Sequence, residues 1–326
     1  MTEPKRVATF NLGNLARAGS KIYETEPRTP DEYAQKIDFL RQTFGRLDAD
    51  VLAVQEILHR DALVEAAEGL YAPEQVHTPL PEDVDEATAR SPRVGLLSKL
   101  PLFGRAVVHR RLSHPQTIMG LNLSEFRRPV LHARVWLWPE VRVSVFVVHL
   151  KSPRPLFLDS EDPSDPACAV LAAARAHAVR FAEIAQLKVL TMQAALQEPV
   201  IVLGDLNTKD HDVALDVLKG RRAPAGANAT AHERFEAARL HNGRAVARRS
   251  GGVAFGDTFV YRGHPEVLDH LFVSGPLTPF MPGPVGTVRS IRSLSDHLGE
   301  DPHRLVRVAS DHAPVLAVFE RWPAYY

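Results

Sequence analysis

Several short windows of the chain end an apolar run in residues that can hold a cation or move a proton. The clearest is Val200-Ile201-Val202-Leu203-Gly204-Asp205-Leu206-Asn207-Thr208. An unbroken apolar run of this kind predicts a strand buried on both faces. Side chains two apart on an extended chain point the same way, so Asp205 and Asn207 are expected to project together from its carboxyl end. Open α/β sheets tend to place their chemistry there. A strand followed by an Asx turn explains the same letters, because Gly-Asp-x-Asn is good turn material. The pattern recurs: Asn11 ends the run from Arg6, Glu56 follows Val51 to Val54, and His149 ends the run through Val148. Asp269 lies in the run from Val267 to Ser274, and Asp311-His312 precede Pro314-Val315.

No Cys-His or His-His zinc spacing accompanies these positions. Carboxylates and amides suit a hard cation, Mg²⁺ or Mn²⁺, held by one or two carboxylates plus waters and a substrate phosphate. Histidines and arginines among the candidates could meet charge developing on a phosphoryl group. No Ser or Cys stands in a Gly-x-Ser-x-Gly context, so an activated water is the expected attacker.

The elements that must position these groups are legible in part. Thr29-Pro30-Asp31-Glu32 carries an N-cap, a proline at the first helical position and a capping-box glutamate. Tyr33, Ile37, Leu40, Phe44 and Leu47 then form one apolar stripe. Further strands are expected at 94–98, 130–138 and 141–150. A short helix is expected at 61–70, a surface loop at 73–92 and a polar loop between Leu102 and Glu125. A long helix is expected from about Pro166 to Gln197, with Leu171, Ala174, Ala178, Phe181 and Ile184 buried, and a short one at 213–218. No structure is assigned from there to about Gly256. The run opened by Pro314 reads as a strand compatible with a sheet edge.

The 326 residues carry 39 Lys plus Arg against 39 Asp plus Glu, so a polyanion would have to be held by a local patch. Candidate patches are Arg110-Arg111, Arg127-Arg128, Arg221-Arg222 and Arg248-Arg249. The single Cys168 excludes an internal disulfide and fits a reducing compartment. No apolar leader or membrane-length run is present, so the cytoplasm is the expected location and no membrane or protein partner is implied.

Taken in order, Phe10-Asn11-Leu12, Leu52-Ala53-Val54-Gln55-Glu56, Val148-His149-Leu150-Lys151-Ser152, Gly204-Asp205-Leu206-Asn207-Thr208, Leu268-Asp269-His270-Leu271 and Ser310-Asp311-His312-Ala313-Pro314 resemble the endonuclease/exonuclease/phosphatase superfamily. That superfamily includes abasic-site endonucleases, pancreatic-type deoxyribonuclease, deadenylases, neutral sphingomyelinases and inositol polyphosphate 5-phosphatases. The likeness spans nearly the whole chain and implies a single domain over 1–326. The implied fold is a four-layer α/β sandwich, two mixed β-sheets face to face flanked by helices.

The resemblance implies Glu56 as the principal Mg²⁺ (or Mn²⁺) ligand, with Asn11 and Asp311 beside it. It implies that Asp205 and Asn207 orient the attacking water and the phosphate, with Asp205 the candidate base. His312 resembles the histidine that contacts the scissile phosphate, Asp269 the carboxylate that fixes its tautomer, and His149 the second histidine of the site. Where the family often has Asp-Tyr-Ile or Asp-Tyr-Val, this chain has Asp269-His270-Leu271. Phe126-Arg127-Arg128-Pro129 and His149-Leu150-Lys151-Ser152 resemble a bacterial nuclease-like branch in which an Arg and a Lys touch substrate phosphate. The resemblance points to Arg128, with Arg127 the alternative, and to Lys151, with a plain surface position the alternative. The implied activity is phosphodiester hydrolysis on nucleic acid. A phosphatase or phosphodiesterase acting on a small or lipid-linked phosphate is the alternative. A catalytically silent binding protein on the same scaffold fits less well, because each chemistry-bearing position holds a competent residue.

Overall fold

A computed structural model of the chain describes residues 3–23, 26–79, 91–249, 251–261, 263–281, 283–299 and 302–322. The chain enters as β1 (Lys5–Leu15), crosses through α1 (Pro30–Leu47) and returns as β2 (Val51–Ile57), parallel to β1. After α2 (Arg60–Ala66) come β3 (Val76–His77) and β4 (Arg93–Ser98), then an antiparallel ladder of β5 (Val107–Ile118), β6 (Leu121–Trp138) and β7 (Val141–His149). The helix α3 (Pro166–Ala195) carries the chain back to β8 (Val200–Asp205), parallel to β7. Next follow α4 (Val213–Lys219), α5 (Ala229–Ala238), β9 (Leu240–Asn242), α6 (Gly243–Arg248) and β10 (Gly252–Ala254). A small hairpin, β11 (Phe259–Tyr261) and β12 (His264–Glu266), precedes β13 (Asp269–Ser274). The chain closes with β14 (Gly286–Ser293), α7 (Pro302–Val308) and β15 (Val315–Arg321).

One mixed sheet has the order β10-β14-β15-β1-β2-β4-β3 and the other β5-β6-β7-β8-β13-β9. Their inner faces meet through Val7, Val51, Ala53 and Ala317 on one side and Leu131, Val145, Val147, Ile201 and Leu203 on the other. On the outside, α1 and α2 cover the first sheet over Phe10, Leu40, Phe44 and Leu52. On the second sheet α3 and α4 do the same over Phe146, Val179, Val202 and Leu215. The result is the expected four-layer α/β sandwich. It also explains the unbroken run in β8: Ile201 and Leu203 fill the space between sheets while Val200 and Val202 face the helices, so neither side can be polar.

The start of α1 is built as its sequence dictates. Thr29 Oγ1 accepts the Glu32 N–H at 3.2 Å and Glu32 accepts the Thr29 N–H at 2.9 Å, with Pro30 next to the cap.

Elsewhere the structure corrects the reading. The stretch taken for a polar loop after Leu102 is β5 and the start of β6, an arm whose residues Arg110, Arg111, Gln116, Thr117 and Asn122 are exposed. Strands that leave the core carry no alternation to read. Along α3, Leu171 and Phe181 are 47% and 43% exposed; the buried side is Ala172, Ala176, Val179 and Ile184 together with Arg175, Arg180 and Glu183. The strand after Pro314 lies inside its sheet between β14 and β1, because Pro314 itself stands outside the ladder. The unassigned stretch after Leu218 contains α5, β9, α6 and β10. In the expected 73–92 loop, β3 is an edge strand, and residues 80–90 lie outside the described ones.

Candidate active site

Register brings most of the candidates together. Across three neighbouring strands His149 stands opposite Asp205, and Asp205 opposite Asp269. In the other sheet β1 runs parallel to β2, and antiparallel β15 pairs Val315 with Thr9, so Asp311-His312, which precede β15, fall beside the carboxyl-terminal residues of β1. Parallel strands thus deliver carboxyl ends and their antiparallel neighbours deliver amino ends to one pole. Gly204 makes the approach possible: its φ is +143°, and a Cβ there would lie 2.0 Å from the Val148 carbonyl oxygen.

Asp205 is the junction. Its Oδ1 accepts the Asn207 N–H at 2.8 Å, and its Oδ2 accepts from Asn11 Nδ2 at 3.0 Å across the two sheets. The same Oδ2 lies 3.3 Å from His149 Nε2 and 3.8 Å from His312 Nε2. Asp269 Oδ2 holds His312 Nδ1 at 2.7 Å, which turns Nε2 toward Asp205. Ser310 Oγ donates to the Asn11 carbonyl at 2.7 Å and accepts the His312 N–H at 3.1 Å, tying the approach to β15 onto the end of β1.

Asn207 does not continue the strand. Its φ is +50°, an Asx turn forms through Asp205 Oδ1, and its Nδ2 donates to the Leu150 carbonyl at 3.1 Å. The turn replaces the simple extended geometry expected for the pair, yet it returns Asn207 to the wall of the same cleft. Glu56 is also left-handed, with φ +62°, and its Oε2 accepts the Asn14 N–H at 2.8 Å while Oε1 lies 3.8 Å from His149 Nε2. Asn14 itself has φ +52°. Such backbone costs about 1–3 kcal/mol per residue and gathers where a site demands it.

These groups open on a cleft of about 1410 Å³ lined by Glu56, Arg128, His149, Lys151, Asp205, Asn207, Asp311 and His312. Asn11 and Asp269 are fully buried behind that wall, bonded to Asp205 and His312. The basic candidates differ from one another. Arg128 Nη1 donates to the Leu150 carbonyl at 3.0 Å. Lys151 Nζ donates to the carbonyls of Ser152 and Arg154, each at 2.7 Å, and lies 3.3 Å from Ser152 Oγ, so protein groups already hold it on the cleft wall.

Burial pushes the His149 imidazole well below its ordinary pKa, with Arg128 and His312 adding to the effect, so it is neutral. Burial works the same way on His312, but the Asp269 and Asp205 carboxylates outweigh it and hold that ring protonated. Asp205 is pushed up to about 7 by burial, against the pull of His312. Burial, then Arg128 and Arg127, bring Lys151 down to about 8.

Among the described residues no three His, Cys, Asp or Glu side chains stand close enough to enclose a metal. A cage for zinc is therefore not what these residues form. A hard ion that keeps most of its waters fits better: Glu56 is anchored through one oxygen, and Asp311 lines the same cleft with oxygen donors only.

Four supporting residues escaped the sequence reading. Glu183 of α3 is fully buried and accepts the N–H groups of Arg127 at 2.7 Å and Lys151 at 2.8 Å, while Arg180 donates to the Lys151 carbonyl at 3.2 Å. Beneath the pole, Arg28 donates to the carbonyls of Gly13, Asn14, Val306 and Arg307, and fully buried Lys36 to those of Gly13 and Ala309. These side chains clasp the segment holding Asn11 and Asn14 to the one leading into Asp311. The available signal was charge in phase with apolar residues four positions away, as at Lys36 before Leu40 and Glu183 between Val179 and Leu187.

His270, where the family often has tyrosine, is buried with its Nε2 2.7 Å from the Thr208 carbonyl, and burial lowers its pKa to about 4. A folded-state pKa below the unfolded value of about 6.5 means stability fully present above pH 6.5 and lost as pH falls toward 4. The loss expected from this one residue is about 3 kcal/mol. Urea unfolding across that range is expected to show a smaller acid loss in His270→Gln; an unchanged slope contradicts the assignment.

Two mixed sheets packed face to face between layers of helices gather acids, amides and imidazoles at one pole. The model of the endonuclease/exonuclease/phosphatase family matches residues 8–312, and the chain belongs to that family. The family includes metal-dependent nucleases and phosphodiesterases, and its members are hydrolases of phosphoester bonds, generally dependent on a divalent metal. No curated protein matches the sequence. Among solved structures, the chain is similar to the endonuclease/exonuclease/phosphatase of Bacteroides vulgatus, with 15% identity, 98% of this chain and 100% of that one covered, and a TM-score of 0.58. It is similar also to that of Beutenbergia cavernae, with 21% identity, 99% and 73% covered, and a TM-score of 0.54. A humanized D. rerio TDP2 gives 12% identity, 97% and 99% covered, and a TM-score of 0.56. At these identities the likeness is one of fold.

Proposed function

We propose that the chain is a divalent-metal-dependent phosphodiester hydrolase acting on nucleic acid, a single catalytic unit over 1–326. The observation that carries the reading is the Asp205–His312–Asp269 arrangement opening on a cleft that also contains Arg127, Arg128, Lys151, Arg154 and Arg180. A chain with no net charge can still attract a polyanion when its cations are gathered at the reacting pole. Among the described residues no helix is long and apolar enough to cross a membrane.

A Mg²⁺ or Mn²⁺ ion held by Glu56 with Asp311 would neutralise phosphate charge and acidify water, while Asn11, buried behind the cleft wall rather than beside the ion as expected, acts through its bond to Asp205. Asp205, with its pKa near 7, is matched to take a proton from water at neutral pH, and the Asn207 N–H and Asn11 amide fix its two oxygens. Neutral His149 steadies the same carboxylate. Protonated His312 directs Nε2 at the phosphoryl oxygens and offsets their growing charge, while Asp269 keeps the ring in place. Arg128 adds positive charge on the cleft wall. The water oxygen forms the new P–O bond, the bond to the leaving oxygen breaks, and that oxygen leaves protonated by solvent.

With Mg²⁺ or Mn²⁺, the protein is expected to cleave single- or double-stranded DNA or RNA, and bis-p-nitrophenyl phosphate faster than p-nitrophenyl phosphate. Hydrolysis of the monoester alone overturns the nucleic-acid reading in favour of a small phosphate ester. EDTA is expected to abolish turnover and added Mg²⁺ to restore it. Full turnover in EDTA contradicts the metal requirement.

A further inference from the structure

We infer that the hollow between α3, α4 and the end of β5 is a subsite for one nucleobase of a polynucleotide whose scissile phosphate lies at Asp205 and His312. The inference rests on the nucleic-acid reading and adds what that substrate presents beside its phosphate. The hollow has a volume of about 590 Å³, ordinary for a small-molecule site. Ala178 and Ala182 leave its floor smooth, and Phe181 and Val213, 43% and 68% exposed, form its rim. Exposed apolar side chains are unremarkable when scattered, but these surround one concavity.

The hollow is continuous with the catalytic cleft, because His177, Arg180 and Asp212 line both. Arg180 is the hinge between them. It is 3% exposed, its Nη1 donates to the Lys151 carbonyl at 3.2 Å, and its Nη2 lies 2.7 Å from His177 Nδ1. A chain with its phosphate at the pole therefore meets a cation and then an aromatic rim, the sequence of contacts by which single strands are held.

The lining also selects the occupant. Gln116, His177 and Asp212 offer hydrogen-bonding edges that an alkyl chain cannot use, and the Asp212 carboxylate repels a second phosphate. A planar heterocycle can satisfy these edges and stack on Phe181.

The test uses oligonucleotides with a defined cleavage position, in which each base in turn is replaced by an abasic residue, assayed in Mg²⁺. For the wild type, one position close to the cleaved bond is expected to raise KM roughly tenfold when its base is removed. Phe181→Ala is expected to raise KM similarly on the intact strand, and the two losses are expected not to add. Ala178→Trp, which fills the hollow and keeps Phe181, is expected to reproduce the loss. Abasic effects that are absent in the wild type, or that add fully to Phe181→Ala, overturn the subsite. Failure of the wild type to cleave any polynucleotide overturns the nucleic-acid reading itself.

Discussion

Asp205→Asn is expected to lower kcat on bis-p-nitrophenyl phosphate by about 10²–10⁴-fold, the usual worth of a positioned base. Asparagine keeps the size of the side chain and an oxygen for the Asn207 N–H. It loses the proton acceptor and the negative charge that faces His149 and His312. Because the change is nearly isosteric at a residue 2% exposed, the variant is expected to fold. Steady-state kinetics alongside thermal unfolding separate the two effects. A folded variant with kcat within a few-fold of wild type removes Asp205 from the chemistry, and polynucleotide cleavage that survives unchanged does the same.

Asp269→Asn is expected to lower kcat by about 10²–10⁴-fold and to move the alkaline limb of the pH profile to lower pH. The direction follows from His312. Burial alone would push that ring down, and the Asp269 and Asp205 carboxylates raise it well above its ordinary value. Activity that needs the protonated ring is present below its pKa and lost as pH rises through it. Removing the charge 2.7 Å from Nδ1 lowers that pKa, so the loss begins at lower pH. The profile of kcat/KM against pH checks this, and a limb that stays in place while kcat falls assigns Asp269 a purely geometric role.

The placement of these groups was legible in the sequence wherever burial left a strand no choice of residue. The runs before Glu56, His149 and Asp205 are apolar on both sides because each strand lies between the opposing sheet and a layer of helices. Their ends were therefore visible as abrupt changes to polar residues. Short words could not reveal the turn at Asn207, because Gly-Asp-x-Asn suits an Asx turn and a pair of cleft side chains alike, and here the turn leaves both residues on the cleft wall. The arm built from β5 was hidden because it stands clear of the core. The buried side of α3 was misread for the opposite reason: Arg175, Arg180 and Glu183 lie beneath it because backbone groups and side-chain partners satisfy them, as the Met119 carbonyl and the Glu161 carboxylate do for Arg175. Lys36 and Arg28 follow the same rule at the first sheet. Their carbonyl partners come from segments far apart in sequence, which periodicity cannot register.

On the proposed reading, separate stretches of chain converge to hold one divalent ion against a phosphate, with Glu56 the side chain on which that depends most. Mn²⁺ binding followed by electron paramagnetic resonance, in the wild type and in Glu56→Gln, measures it without reference to turnover. The wild type is expected to bind one ion at this pole, and Glu56→Gln to weaken binding by about tenfold or more while keeping its hydrogen bond from Asn14. Equal affinity in the two proteins contradicts the assignment.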